Sequence, residues 1–123
     1  MKMAGRLVQA IGLIALVTGF TQMVSPGTIL AQVGGDANPA ARHFFGIVGM
    51  FMMLFGGATA HAVHTSNAPV LALSMLQKLG AAAAVTLGIL NSIFGSIAWV
   101  VAAFDFATAM LTFVYWRNVN ARS

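Results

Sequence analysis

The chain reads as an all-α, antiparallel four-helix transmembrane bundle with both termini cytoplasmic, and three observations predict it. Hydrophobic residues make up 59% of the 123 and charged residues 7%, whereas a soluble domain carries about 25% charged residues. So few charges cannot supply the polar coat of a water-soluble globule. Four apolar stretches each approach the ~20 residues needed to cross ~30 Å of hydrocarbon. These stretches are apolar nearly all round and lack the polar stripe of a surface helix in water.

The first span covers about residues 7–24 and stops at Ser25-Pro26-Gly27. Lys2 and Arg6 ahead of this apolar core also suit a signal peptide. Its cleavage-like positions, Ile29 and Ala31, lie well beyond the core and past Pro26, so an uncleaved first helix is expected. Residues 25–42 form the largest polar region, an outer loop whose glycines and prolines favour turns. Residues 28–33 within it suit a short interfacial segment. The second span covers about residues 44–63 and ends in the polar run His64 to Pro69. The third covers about 70–91, and a very short turn at Ser92 to Phe94 leads to the fourth, about 95–116. No internal repeat or second domain is visible, so residues 1–123 read as one integral membrane domain.

Orientation follows from the cations that flank the spans. Lys2, Arg6, Arg117 and Arg122 share one side and only Arg42 lies on the other, which places both termini in the cytoplasm. Phe44 and Phe45 at the outer interface and Tyr115 and Trp116 at the inner one suit aromatic anchors. The formal charge of +4 reflects scarce acids rather than a basic patch, so nucleic acid is not an expected partner. The absence of cysteine excludes disulfides and thiolate chemistry.

Two charges fall inside spans, Lys78 in the third and Asp105 in the fourth. A charge at mid-span costs about 2.5–3.5 kcal/mol even on a lenient scale, so both should face protein and ideally each other. Lys78 lies roughly 13 Å and Asp105 roughly 18 Å from the cytoplasmic end at 1.5 Å per residue, a difference that a lysine stem can span. Ala98, Ala102, Thr108, Ala109 and Thr112 surround Asp105 at helical spacing, and Ser74, Ala81, Ala82 and Val85 surround Lys78. Gly80, Ala84 and Gly88 form a small-residue ridge suited to close helix approach. One reading is a buried ion pair that fixes helix register. The other is a functional site for proton relay or for a polar headgroup, because intramembrane ionisable groups are functional candidates.

Secondary polar candidates are Gln77, His61, His64 and Arg42. His61 and His64 share a helix face, but zinc needs two further ligands, and His43 sits at the far end of the same span. Neither a metal site nor a haem site is supported. The eight methionines read as lipid-facing and gap-filling side chains. With Asp36 and Asp105 the only acids, no catalytic constellation is visible and no enzyme is expected. A bound lipid, quinone or pigment remains open.

Arg42-His43-Phe44-Phe45-Gly46-Ile47, Leu76-Gln77-Lys78-Leu79-Gly80 and Phe104-Asp105-Phe106 before Tyr115-Trp116 resemble motifs of small DoxX-like bacterial inner-membrane proteins, over roughly residues 40–117. That resemblance implies a four-helix inner-membrane protein, and its name-giving members are small membrane subunits associated with quinone-linked oxidoreductases. The expectation is a small accessory or structural subunit in the bilayer, with membrane lipids and other membrane chains or copies of itself as partners. The alternative is a small transporter, channel or lipid/quinone-binding protein built around Lys78 and Asp105.

Overall fold

The computed structural model describes residues 2–122, which are all-helical: α1 (Lys2–Val24), α2 (Pro26–Gln32), α3 (Pro39–Thr65), α4 (Ala68–Leu90) and α5 (Ala98–Arg122). Four of the five, α1, α3, α4 and α5, are long and apolar enough to cross a membrane. This is the make-up of an integral membrane protein, in which the backbone polar groups along the middle of each span are satisfied inside the helix.

Local chemistry sets the helix starts. Asn38 caps α3 by accepting from the Ala41 N–H at 2.9 Å, with Pro39 next in line. Asn67 caps α4 by accepting from the Val70 N–H at 3.2 Å, with a proline again in the first turn. Such caps satisfy N–H groups that have no partner inside the helix. Between α3 and α4, Ser66 takes a left-handed conformation (φ 53°) that reverses the chain.

The α1–α3 contact is built on glycine. On α1 the buried positions Gly5, Val8, Gly12, Ala15, Gly19 and Gln22 alternate three and four apart, the period of a coiled-coil seam. Gly12 lies against Gly56 and Gly19 against Gly49, so the backbones nearly touch. A methyl group on Gly19 would fall 2.5 Å from the Gly49 carbonyl oxygen, and one on Gly49 would fall 2.7 Å from that of Gly19. Gln22 bridges the same pair by donating to the Phe45 carbonyl at 2.9 Å.

α4 and α5 form the second close pair, and the two pairs meet mainly at one end. There, at the end holding residues 2 and 122, a plug of Ala4, Val8, Ala62, Leu71, Tyr115 and Val119 draws all four long helices together. At the opposite end α2 lies across the opening, and the Gly95 N–H donates to the Val33 carbonyl at 2.8 Å. That bond ties the loop after α1 to the loop before α5.

Several sequence expectations change. The second long helix begins at Pro39 rather than near residue 44, because Asn38 and Pro39 supply a cap, and it takes in Arg42 and His43. The interfacial segment is a helix, α2. The connection after α4 is longer than a short turn and the last helix starts at Ala98, not residue 95. Ser92 is left-handed there (φ 58°) and the Phe94 ring folds back over Gly88. The small-residue ridge is not a contact ridge. Gly80 and Ala84 are exposed, and nothing lies within 4 Å of where a Gly80 side chain would start. Tyr115 is not an interfacial anchor: it is only 6% exposed and fills the plug above Gly5.

Candidate functional site

Below the plug and above α2, the two helix pairs part, and the intramembrane charges, which meet within the α4–α5 pair, line the gap. Lys78 Nζ donates to Asp105 Oδ1 at 3.2 Å. α4 carries Lys78 one position past Gln77, and α5 carries Asp105 on its buried face with Ala98, Ala102, Thr108, Ala109 and Thr112. That small-residue strip brings α5 close enough to α4 for the four-carbon lysine stem to reach across. The two side chains are 13% and 11% exposed.

A cavity of 400 Å³ opens beside the pair. Ala15, Met52, Ala81, Val85, Ala98 and Phe104 contribute to its walls, and Ile29 and Val33 border it at the α2 end. Gln77, Lys78 and Asp105 are its polar group, with Thr18 and Gln22 nearer the α2 end. Several lining side chains, including Ile14, Val101 and Phe104, are also exposed on the outer surface, so the cavity communicates with the surface that hydrocarbon would cover.

Toward the plug, a second void of 20 Å³ lies among Thr59, Ser74, Gln77, Lys78, Thr108 and Thr112, about the volume one water needs. Thr59 and Ser74 share a hydrogen bond of 2.6 Å that links α3 to α4. Thr59 also donates to the Phe55 carbonyl and Thr112 to the Thr108 carbonyl. A hydroxyl in an apolar interior must find such partners to be tolerated there. Past these groups comes the plug with Leu71 and Val8 almost wholly buried, so the polar path ends inside the protein.

Hydrogen-bond capacity at the cavity is only partly used. An ammonium has three donors and an ionised carboxylate accepts at two oxygens. Lys78 uses one donor, on Oδ1 alone. Among the described residues no buried side-chain nitrogen or oxygen lacks a partner. Asp105 Oδ2 and the Gln77 amide make no side-chain hydrogen bond with another described residue, and both residues line the cavity.

The other sequence candidates lie elsewhere. His61 and His64 are exposed on α3 near its Ser66 end, and His43 stands at the opposite end beside Phe44. Among the described residues, no three histidines or acids gather as a metal site would need. Arg42 is exposed, with its stem against Gly27 of α2. The glycine seam of α1 and α3, and the roles of Thr59 and Gln22, were not singled out by sequence reasoning. The seven-residue spacing of Gly12 with Gly19 and of Gly49 with Gly56 was the available signal. Comparison of the chain with family models, curated proteins and solved structures found no match.

Proposed function

We propose that this chain is a small, non-enzymatic integral membrane protein that holds an amphiphilic molecule of the lipid or quinone kind. Its four long helices run antiparallel, both termini lie in the cytoplasm, and the membrane is the bacterial inner membrane that the DoxX-like resemblance implies. The observation that carries the reading is the 400 Å³ cavity beside Lys78 and Asp105. Its size falls in the range of ordinary ligand pockets, about 300–1,000 Å³. An apolar wall with a few convergent polar groups is the pattern of a site that orients an oily molecule by its head. The opposed registers of Gly12 with Gly56 and Gly19 with Gly49 support the antiparallel arrangement. The four-to-one distribution of cations supports the orientation.

The test is native mass spectrometry of protein released gently from its own membrane. The expected result is one bound small molecule per chain, lost in Ala81→Trp, which fills the cavity, and kept in Gly80→Trp, which points outward. A chain that carries no such molecule overturns the reading. A second reading, an accessory subunit packed against a larger chain or another copy, draws on the open groove between α4 and α5 lined by Leu79, Ala83, Trp99, Ala103 and Phe106. Co-purification of a second chain in mild detergent would support it, and a strictly monomeric protein would count against it.

A further inference from the structure

The chemistry of the cavity's polar corner selects among amphiphiles, and this inference rests on the ligand-binding reading above. We propose that the cavity takes a single-chain, uncharged amphiphile whose head carries both a hydrogen-bond acceptor and a hydrogen-bond donor, as a hydroxyl beside an ester carbonyl does.

Three features of the site lead there. The first is charge. Lys78 and Asp105 cancel each other at 3.2 Å, and among the described residues no other ionisable side chain lines the cavity. An anionic head would bring an unbalanced charge into a poorly hydrated space, beside the Asp105 carboxylate as well as the Lys78 ammonium. A cationic head meets the mirror image of that cost. Unpaired charge in such surroundings is strongly disfavoured.

The second feature is the pattern of unused hydrogen-bond capacity. Lys78 keeps two N–H donors beyond the one given to Asp105 Oδ1. Asp105 is only 8% exposed, yet its Oδ2 is left to accept, and the Gln77 amide can do both. A head that only accepts, such as a simple ester, leaves the carboxylate oxygen unserved. A head that only donates leaves the ammonium unserved. Buried polar groups favour a ligand that satisfies both kinds, and a site built this way rejects analogues lacking one group.

The third feature is size and access. A cavity of 400 Å³ lies near the small end of ligand pockets, which suits one acyl chain rather than two. The apolar walls and the exposed rim at Ile14, Val101 and Phe104 let the chain trail out toward hydrocarbon while the head stays at the ion pair.

The experiment is a titration of the purified full-length protein, delipidated and held in neutral detergent, followed by native mass spectrometry. The probes share one chain: monooleoylglycerol (acceptor and donor, uncharged), methyl oleate (acceptor only) and oleate at pH 8 (anionic). Monooleoylglycerol should bind one per chain and at least ten-fold tighter than either of the others. Asp105→Asn unbalances the Lys78 charge and should narrow or reverse the gap to oleate by ten-fold or more. Gln77→Leu, which leaves the ion pair intact, should weaken monooleoylglycerol by several-fold and methyl oleate less. Oleate or methyl oleate binding as tightly as monooleoylglycerol to the unaltered protein overturns this inference and leaves the ligand-binding reading standing. Binding of none of the three overturns both. Should Asp105→Asn fail to fold, an unchanged margin between monooleoylglycerol and methyl oleate in Gln77→Leu overturns the proposed head recognition.

Discussion

Lys78 and Asp105 each keep the other tolerable in hydrocarbon, since a lone charge there costs several kcal/mol and the pair at 3.2 Å is nearly enclosed by protein. Removing one partner strands the other, the case in which buried pairs cost about 3–5 kcal/mol. Lys78→Met is therefore expected to lower stability by about 3 kcal/mol, because it leaves a lone carboxylate. The exchanged pair Lys78→Asp with Asp105→Lys should recover more than half of that loss, read from unfolding in detergent. An exchanged pair no more stable than either single variant would show that the surroundings, rather than the mutual contact, set the energetics. The meeting of these residues was legible in the sequence, because two opposite charges in adjacent spans have almost nowhere else to go. The cavity beside them was not. Its walls are mostly alanines, valines, isoleucines and phenylalanines, indistinguishable in the sequence from lipid-facing residues, and only the parting of the two helix pairs creates it. Tyr115 was misread for a related reason. An aromatic beside Trp116 and Arg117 suits an interface, but Gly5 on α1 leaves room that draws the ring inward.

Helix pairing turns on which glycines face a neighbour, and the two kinds predict opposite outcomes. Gly19 and Gly49 sit where the backbones of α1 and α3 nearly touch, so an added methyl at either would meet backbone atoms 2.5–2.7 Å away. Backbone cannot give way as a flexible side chain can, and overpacking of this sort costs about 1–3 kcal/mol. Gly19→Ala and Gly49→Ala are each expected to lower the unfolding free energy by that amount, with α1 pushed off α3. Gly80→Ala meets nothing within 4 Å and should be neutral or stabilising by at most about 1 kcal/mol, the gain expected of alanine over glycine within a helix. Equal effects at Gly19 and Gly80 would contradict the seam. Existence and type of the four long helices followed from length and apolarity alone. Which glycines mattered did not, because helices apolar all round carry no polar stripe to mark the outward side. Gly80, Ala84 and Gly88 had the spacing of a contact ridge, yet the Lys78 face of α4 met α5 instead and left Gly80 outside. At the ends, Asn38-Pro39 at the start of α3 and Asn67-Ala68-Pro69 at the start of α4 were stronger signals than hydropathy, which is why α3 starts earlier than its apolar run.

At the scale of the whole molecule, the four long helices converge on the plug at the end holding residues 2 and 122 and part toward α2, so access to the ion pair is one-sided. Leu71 is fully buried in the plug, whereas Ala81 lines the cavity. With no native cysteine, single-cysteine variants report on this directly. Ala81→Cys should react with a small, membrane-permeant maleimide, and Leu71→Cys should stay protected until the protein unfolds. A bound amphiphile should slow the Ala81→Cys reaction, so labelling before and after delipidation separates an occupied cavity from an inaccessible one. The same chemistry tests orientation. Asp36 lies exposed near α2 and Ser66 lies exposed between α3 and α4, at opposite ends of the helices. Positive charge concentrates at the Ser66 end, where the cytoplasmic face is expected. In intact bacterial cells, Asp36→Cys should therefore be modified by an impermeant maleimide, whereas Ser66→Cys should be modified only after permeabilisation. The reverse pattern would invert the protein and open the cavity toward the other leaflet. Equal labelling of both sites would mean that the four-to-one charge imbalance does not fix orientation, and that copies insert both ways.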